Sequence, residues 1–225
     1  MRNENAVSFG ENTKRNEIED MIVNFKQLPE TYMFYRHIFE LVIIALVSPL
    51  LIILFALIAV IVLIDSKGKI IFRQIRVGKN AIPFTLFKFR TMHNISREDN
   101  DYYISPDGKV SKIGLFLRKH HLDELPQIWN IIKGDMSLIG PRPEIFQQYE
   151  LFSQIIPNYK LRKMIPQGIS GWAQVNYPNT ITVEGNKIKL DYDLNYLYNI
   201  SLVFDFKILF HTIIIMFNCI NSKKI

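Results

Sequence analysis

Asp123 and Glu124 stand side by side in the stretch KHHLDELPQIWN, residues 119–130. Adjacent carboxylates repel, so their placement asks for a reason. Neighbours on a helix point about 100° apart, because a turn takes roughly 3.6 residues. The two acids therefore cannot flank one bond as a glycosidase pair does, at roughly 5–9.5 Å across a substrate. They can serve one site in different roles if they sit at a helix start. Pro126 fits that placement, since the first helical turn tolerates a residue without an N–H. A helix start also favours anions, phosphate included. Cations complete the set: Arg118 upstream, Arg142 held between prolines in GPRP, and Lys88 and Arg90 in KFRTM. A guanidinium grips phosphate oxygens with two prongs. Mg2+ prefers one or two carboxylates plus substrate phosphates. The parts are a nucleophilic carboxylate, a second carboxylate suited to Mg2+, and phosphate clamps. Together they fit phosphoryl transfer through an aspartyl-phosphate-type intermediate.

Blander readings compete. An Asp-Glu pair near a helix start is more often a solvated cap, and arginines near helix ends more often make surface ion pairs or lipid contacts. His120 and His121 are adjacent and lack a third ligand at metal spacing, which weighs against zinc. Trp129 and Trp172 read as packing residues. The sequence carries no P-loop, G-x-G-x-x-G or G-x-S-x-G motif.

The elements that must position these residues follow from composition and pattern. The chain has 225 residues, 48% hydrophobic, with a net charge of +6. A basic balance favours anionic partners. Without a nucleic-acid module, and with an apolar anchor, lipid is favoured over nucleic acid. A single cysteine, Cys219, excludes an intrachain disulfide and thiolate clusters. Residues 1–34 read as a polar arm without the pattern of a signal peptide. Residues 41–64 carry no charge, and a spanning helix needs roughly 20 residues. Ser48-Pro49 lies inside this run and marks a kink or reversal, the serine hydroxyl compensating a freed backbone group. Arg36 and His37 precede the run; Lys67, Lys69, Arg73, Arg76 and Lys79 follow it. Cations on both flanks fit a re-entrant hairpin, and the downstream excess also fits a single span with its N-terminus outside. The residues alone leave both open.

Beyond Asp65, two runs rich in β-branched and aromatic residues predict strands near 69–76 and 84–90, joined by the turn GKNAIP. SPDGK at 105–109 predicts a second turn. Residues 111–134 read as two helical pieces broken near 120–124, with Gly134 as the stop. The tail at 199–220 is apolar but contains Asp205, Lys207 and His211. It fits an interfacial helix or a buried core helix equally.

The stretch LRKHHLDELPQIWNIIKGDMSLIGPRPE, residues 117–144, resembles the signature of the bacterial sugar transferases, the monotopic polyprenyl-phosphate phosphoglycosyl transferases. The likeness extends to FRQIRVGKNAIPFTLFKFRTM before it, and to GISGWAQVNY and YLYNISLVFDFKIL after it, covering about residues 35–215. The resemblance implies transfer of a phosphosugar from a UDP-sugar to undecaprenyl phosphate, with release of UMP, by a Mg2+-dependent ping-pong route. It implies Asp123 as nucleophile, Glu124 as magnesium ligand, and Arg118 and Arg142 as phosphate-handling residues; Lys88 and Arg90 are expected from the residues alone as further substrate-binding cations. It also implies that the membrane hairpin breaks at Ser48-Pro49. The expected fold is α+β and mostly helical. A polar arm (1–34) precedes a re-entrant helix-break-helix hairpin (35–65), and the catalytic domain (66–225) holds a small β-hairpin and interfacial amphipathic helices. The expected location is the cytoplasmic face of the bacterial inner membrane, with membrane lipids as partners, no nucleic acid, and a homo-oligomer left open. The chain resembles a minimal catalytic form. Two departures stand out: His120-His121 where the family has Thr-Ser, so a hydroxyl cap is missing, and Pro166-Gln167-Gly168 where the family has Pro-Gly. A nucleotide-sugar hydrolase and a non-catalytic anionic-lipid-binding protein are the alternatives.

Overall fold

The computed structural model describes residues 30–66, 69–92, 110–178 and 180–221. Residues 1–29 of the polar arm and the SPDGK turn lie outside them. Residues 30–34 of the expected arm already belong to the first helix. That helix, α1 (Glu30–Ser66), is long and apolar enough to cross a membrane. It continues through Pro49 as one element where two helices were expected. The reason is local: Pro49 has no N–H to offer the carbonyl of Ala45, and the Ser48 hydroxyl donates to that carbonyl instead, at 2.8 Å.

The expected hairpin follows. Strands β1 (Ile71–Val77) and β2 (Pro83–Phe89) pair antiparallel, with Phe72 opposite Lys88 and Arg73 opposite Phe87. Asn80 and Ala81 take positive φ in the connecting turn. Helix α2 (Lys112–Lys119) is capped by Ser111, whose Oγ accepts from the Gly114 N–H at 2.7 Å. A 3-10 turn (Leu122–Gln127) leads into α3 (Ile128–Ile132), and Gly134, at φ 80, ends the segment.

The rest of the domain surrounds a pairing that the hydrophobic pattern did not announce. Strands β3 (Met136–Ile139) and β4 (Gln167–Ser170) run parallel. Between them come α4 (Phe146–Ile155) and a 3-10 turn (Tyr159–Lys163). After β4 come α5 (Trp172–Asn176), α6 (Val183–Tyr198) and α7 (Leu202–Asn221). The backbones approach very closely here: a Cβ on Gly168 would lie 2.1 Å from the Gly140 nitrogen. Gln167 is fully buried. Its amide donates to the carbonyls of Arg162 and Ile165, and its Oε1 accepts from Lys163.

Helix α1 is fastened to the domain along its length. Near its start, Arg36 donates to Asp205 of α7 at 2.7 Å and to the Ile139 carbonyl of β3 at 2.6 Å, while Glu40 accepts from the Ser137 hydroxyl. Ile44 packs with Leu86, Ile131 and Met136. Towards its end, Ile58 and Val62 pack with Phe89 and Leu117. The main core lies beneath β3 and α7 and includes Val77, Ile139, Phe152, Tyr159, Ile165, Leu197 and Ile208. Helix α7 packs one face into the domain and leaves apolar residues bare on another: Ile208 is fully buried, whereas Val203 and Phe210 are exposed. Trp172 packs as expected, 5.1 Å from the Phe204 ring. Trp129 does not; it is 57% exposed beside an open apolar groove.

Candidate active site

The 3-10 turn that carries Asp123 and Glu124 begins at His121, which adopts the left-handed conformation with φ 53 and makes no side-chain cap. This reversal separates the turn from α2 and swings both acids inward. Asp123 is 7% exposed and Glu124 6%, so the pair is not a solvated cap. Asn130, on α3, holds the turn against the hairpin. Its Oδ1 accepts from the Phe87 N–H and its amide donates to the Thr85 carbonyl at 2.7 Å. Strand alternation then directs Lys88, between Phe87 and Phe89, to the face where Glu124 waits.

The structure brings three predicted residues into direct contact. Glu124 Oε1 accepts from Lys88 Nζ at 2.8 Å and from Arg142 Nη2 at 2.7 Å. Burial alone would raise the Glu124 carboxyl, but Arg142 and Lys88 prevail and hold it well below the usual carboxylate range. Burial lowers Lys88 in spite of its acidic partner. Asp123 moves the other way: burial raises it, the charge of Glu124 adds to the rise, and Lys88 and Arg118 only partly oppose it. The two acids are thus set apart by their surroundings, one firmly anionic and one closer to protonation.

Arg118 and Arg90 stand outside the direct cluster. Arg118 Nε donates to Thr91 Oγ1 at 2.8 Å and acts on Asp123 through its charge. Arg90 Nε donates to the Met92 carbonyl at 2.9 Å. Ser48 and Pro49 lie within α1, with Ser48 on the wall of the apolar groove.

Glu124 and Arg142 line a cavity of about 940 Å3. Its wall also carries the cations Arg76, Arg162 and Lys189 and, from α1, the apolar Ile43, Val47 and Leu51. One chamber therefore meets both a cationic protein surface and the apolar helix. Sequence reasoning did not find the group that stiffens its far side. Glu144 accepts from Arg162 Nη1 and from the Tyr159 hydroxyl, and its backbone carbonyl accepts from the Val77 N–H at 2.9 Å. Arg162 also pairs with Asp193 of α6 at 2.6 Å. These contacts anchor the loop that presents Arg142. Lys163, buried next to Arg162, is pushed down to about 7 by burial first and by that neighbouring charge second. Asn130 did leave a signal, being a polar residue in the apolar run IWNII; the Glu144–Arg162–Asp193 group left none, because its members are far apart in the chain.

Among the described residues no cluster of three or more His, Cys, Asp or Glu side chains could hold a metal. A metal here would draw on the adjacent acids and on its substrate. Both cations that bind Glu124 do so through Oε1.

The sequence profile of the family described as bacterial sugar transferase matches residues 31–219. The chain is 38% identical over 183 residues to the UDP-N-acetylgalactosamine-undecaprenyl-phosphate N-acetylgalactosaminephosphotransferase of Aeromonas hydrophila, covering 81% of this chain and 43% of the relative. It is 40% identical over 177 residues to the UDP-glucose:undecaprenyl-phosphate glucose-1-phosphate transferase of Escherichia coli K12, covering 76% and 37%. It thus spans about two fifths of the length of those relatives. It covers 86% of an uncharacterised sugar transferase of Bacillus subtilis, at 37% identity. The match over residues 31–219 takes in the buried acids, their cations and the helix above them: this chain belongs to the bacterial sugar transferase family.

Proposed function

We propose that this chain transfers a sugar phosphate from a UDP-sugar to a polyprenyl phosphate at the cytoplasmic face of the bacterial inner membrane, as the first membrane step of surface-glycan synthesis. The observation that carries this reading is the buried Asp123–Glu124 pair, in which Glu124 is tied to Lys88 and Arg142 and lines a cavity that α1 also lines. The printed names of the Aeromonas and Escherichia relatives support the substrate classes.

In the first half-reaction an Asp123 carboxylate oxygen attacks the β-phosphorus of the UDP-sugar. The bond from that phosphorus to the bridging oxygen breaks, and UMP leaves with the electron pair. In the second half an oxygen of the polyprenyl phosphate attacks the same phosphorus, the Asp123 oxygen leaves, and the carboxylate is restored. Arg142 and the cations of the cavity wall hold the diphosphate and offset its growing charge. Mg2+ fits the donor set, since Glu124 is held anionic and has a second oxygen beyond the one bound by Lys88 and Arg142. Glu124 would hold the ion, which when bound neutralises diphosphate charge.

We further propose that α1 enters and leaves the membrane on one side. Arg36 to Val62 is 26 residues, about 39 Å of straight helix, against roughly 30 Å of bilayer hydrocarbon. A straight crossing would carry one end of that stretch away from the domain. Both ends instead touch it, through Arg36–Asp205 and through Val62 with Phe89 and Leu117. The exposed apolar residues of α7 fit an interfacial position beside it.

The test is turnover of purified protein with a panel of UDP-sugars and undecaprenyl phosphate, following UMP and labelled lipid. Asp123→Asn and Glu124→Gln are each expected to lower transfer by about a thousandfold or more. UMP release at an unchanged rate without lipid would instead identify a nucleotide-sugar hydrolase.

A further inference from the structure

We infer that the apolar groove between α1 and the β1–β2 hairpin holds the isoprenoid chain of the acceptor, with Arg73 at its rim favouring an anionic lipid. The inference rests on the transferase reading and adds to it the place and recognition of the lipid. The groove has a volume of about 630 Å3, within the roughly 300–1,000 Å3 common for small-molecule sites. Helix α1 supplies Ile52 and Phe55 to its wall, the hairpin supplies Phe87, and α3 supplies Trp129. Ile52 is 67% exposed, so the groove opens on the bare apolar side of α1, the side that faces lipid if α1 lies in the membrane as proposed above.

Two features single out the acceptor over bulk lipid. The first is charge. Among the described residues Arg73 is the one charged residue on this wall, and its guanidinium lies 5.7 Å from the Phe87 ring centre. A cation beside apolar walls matches a molecule with one anionic head and a hydrocarbon tail. The second is continuity with the catalytic chamber. Ile44, Leu51, Leu125 and Ile128 form part of the wall of both cavities. Leu125 directly follows Glu124. A chain lying in the groove therefore runs along a wall shared with the chamber, one residue from Glu124.

The test uses the full chain in nanodiscs of phosphatidylethanolamine and phosphatidylglycerol, with a polyprenyl phosphate bearing a diazirine on its chain. Illumination is expected to label peptides containing Ile52, Phe55 or Trp129. Unlabelled polyprenyl phosphate should compete, and additional phosphatidylglycerol should not. In steady-state transfer, Ala56→Trp, which adds bulk to the groove, and Arg73→Gln are each expected to raise the acceptor KM at least tenfold, with the UDP-sugar KM within twofold. Labelling confined to other peptides, equal competition by phosphatidylglycerol, or an unchanged acceptor KM in both variants would overturn the inference. Loss of UMP release with every donor bears on the transferase reading alone, because the label map reports the groove without turnover.

Discussion

At the scale of single residues, the site works by treating like groups unequally. Glu124 and Asp123 are adjacent in sequence and similarly buried, yet two cations hold Glu124 anionic while burial moves Asp123 towards protonation. The adjacency and the nearby cations were legible in the sequence because they are local. The grip of Lys88 on Glu124 was not, since 36 residues separate them and only the hairpin brings them together. Arg36 was misleading by the same logic: it reads as a flanking membrane charge, yet it is buried against Asp205, 169 residues away. Lys163 offers a test of this tuning outside the acids. Its folded pKa is about 7, below the ordinary lysine value of 10.5. Between those values the unfolded chain binds a proton that the folded chain does not, so raising the pH through this window stabilises the fold. The melting midpoint in detergent, wild type minus Lys163→Met, is expected to rise from pH 7 to pH 10, by up to about 1.4 kcal/mol per pH unit in free energy. A difference flat across that window would contradict the assignment.

At the scale of elements, the hairpin, the interruption near residues 120–124 and the stop at Gly134 were readable because each rests on local turn chemistry. The β3–β4 pair was not, because four-residue strands leave little pattern and their partners are remote in sequence. What makes that pair possible is the absence of side chains where Gly140 and Gly168 meet. A Cβ on Gly168 would also come within 2.4 Å of the Ser170 carbonyl oxygen. The contacts are with backbone, which cannot swing aside. Gly168→Ala is therefore expected to destabilise the protein by about 2–3 kcal/mol, read as a lower unfolding midpoint, with transfer falling as the Arg142 loop shifts. A midpoint equal to wild type would show that the strands can separate without cost.

At the scale of the whole molecule, the apolar helix and the polar site are one assembly. α1 contributes to the wall of the larger cavity, to the apolar groove and, through Met33, Ile44, Ile58 and Val62, to three packed clusters. The sequence disclosed the apolar run and its Ser48-Pro49 pair, but not that the run docks along the domain; that depends on contacts with distant elements. Single cysteines at Glu30 and Lys69, in a Cys219→Ser background, test the path of α1. Both are expected to resist an impermeant thiol reagent applied outside intact cells and to react after permeabilisation. Labelling of only one from outside would mean a crossing.

The central claim is a covalent link between Asp123 and phosphorus, and intact-mass spectrometry reads it directly. Wild-type protein mixed with its UDP-sugar, acceptor withheld, is predicted to gain the mass of one sugar phosphate, and Asp123→Asn to gain none. Persistence of the same adduct on Asp123→Asn, or UMP release from wild type with no adduct at any time point, would contradict the account.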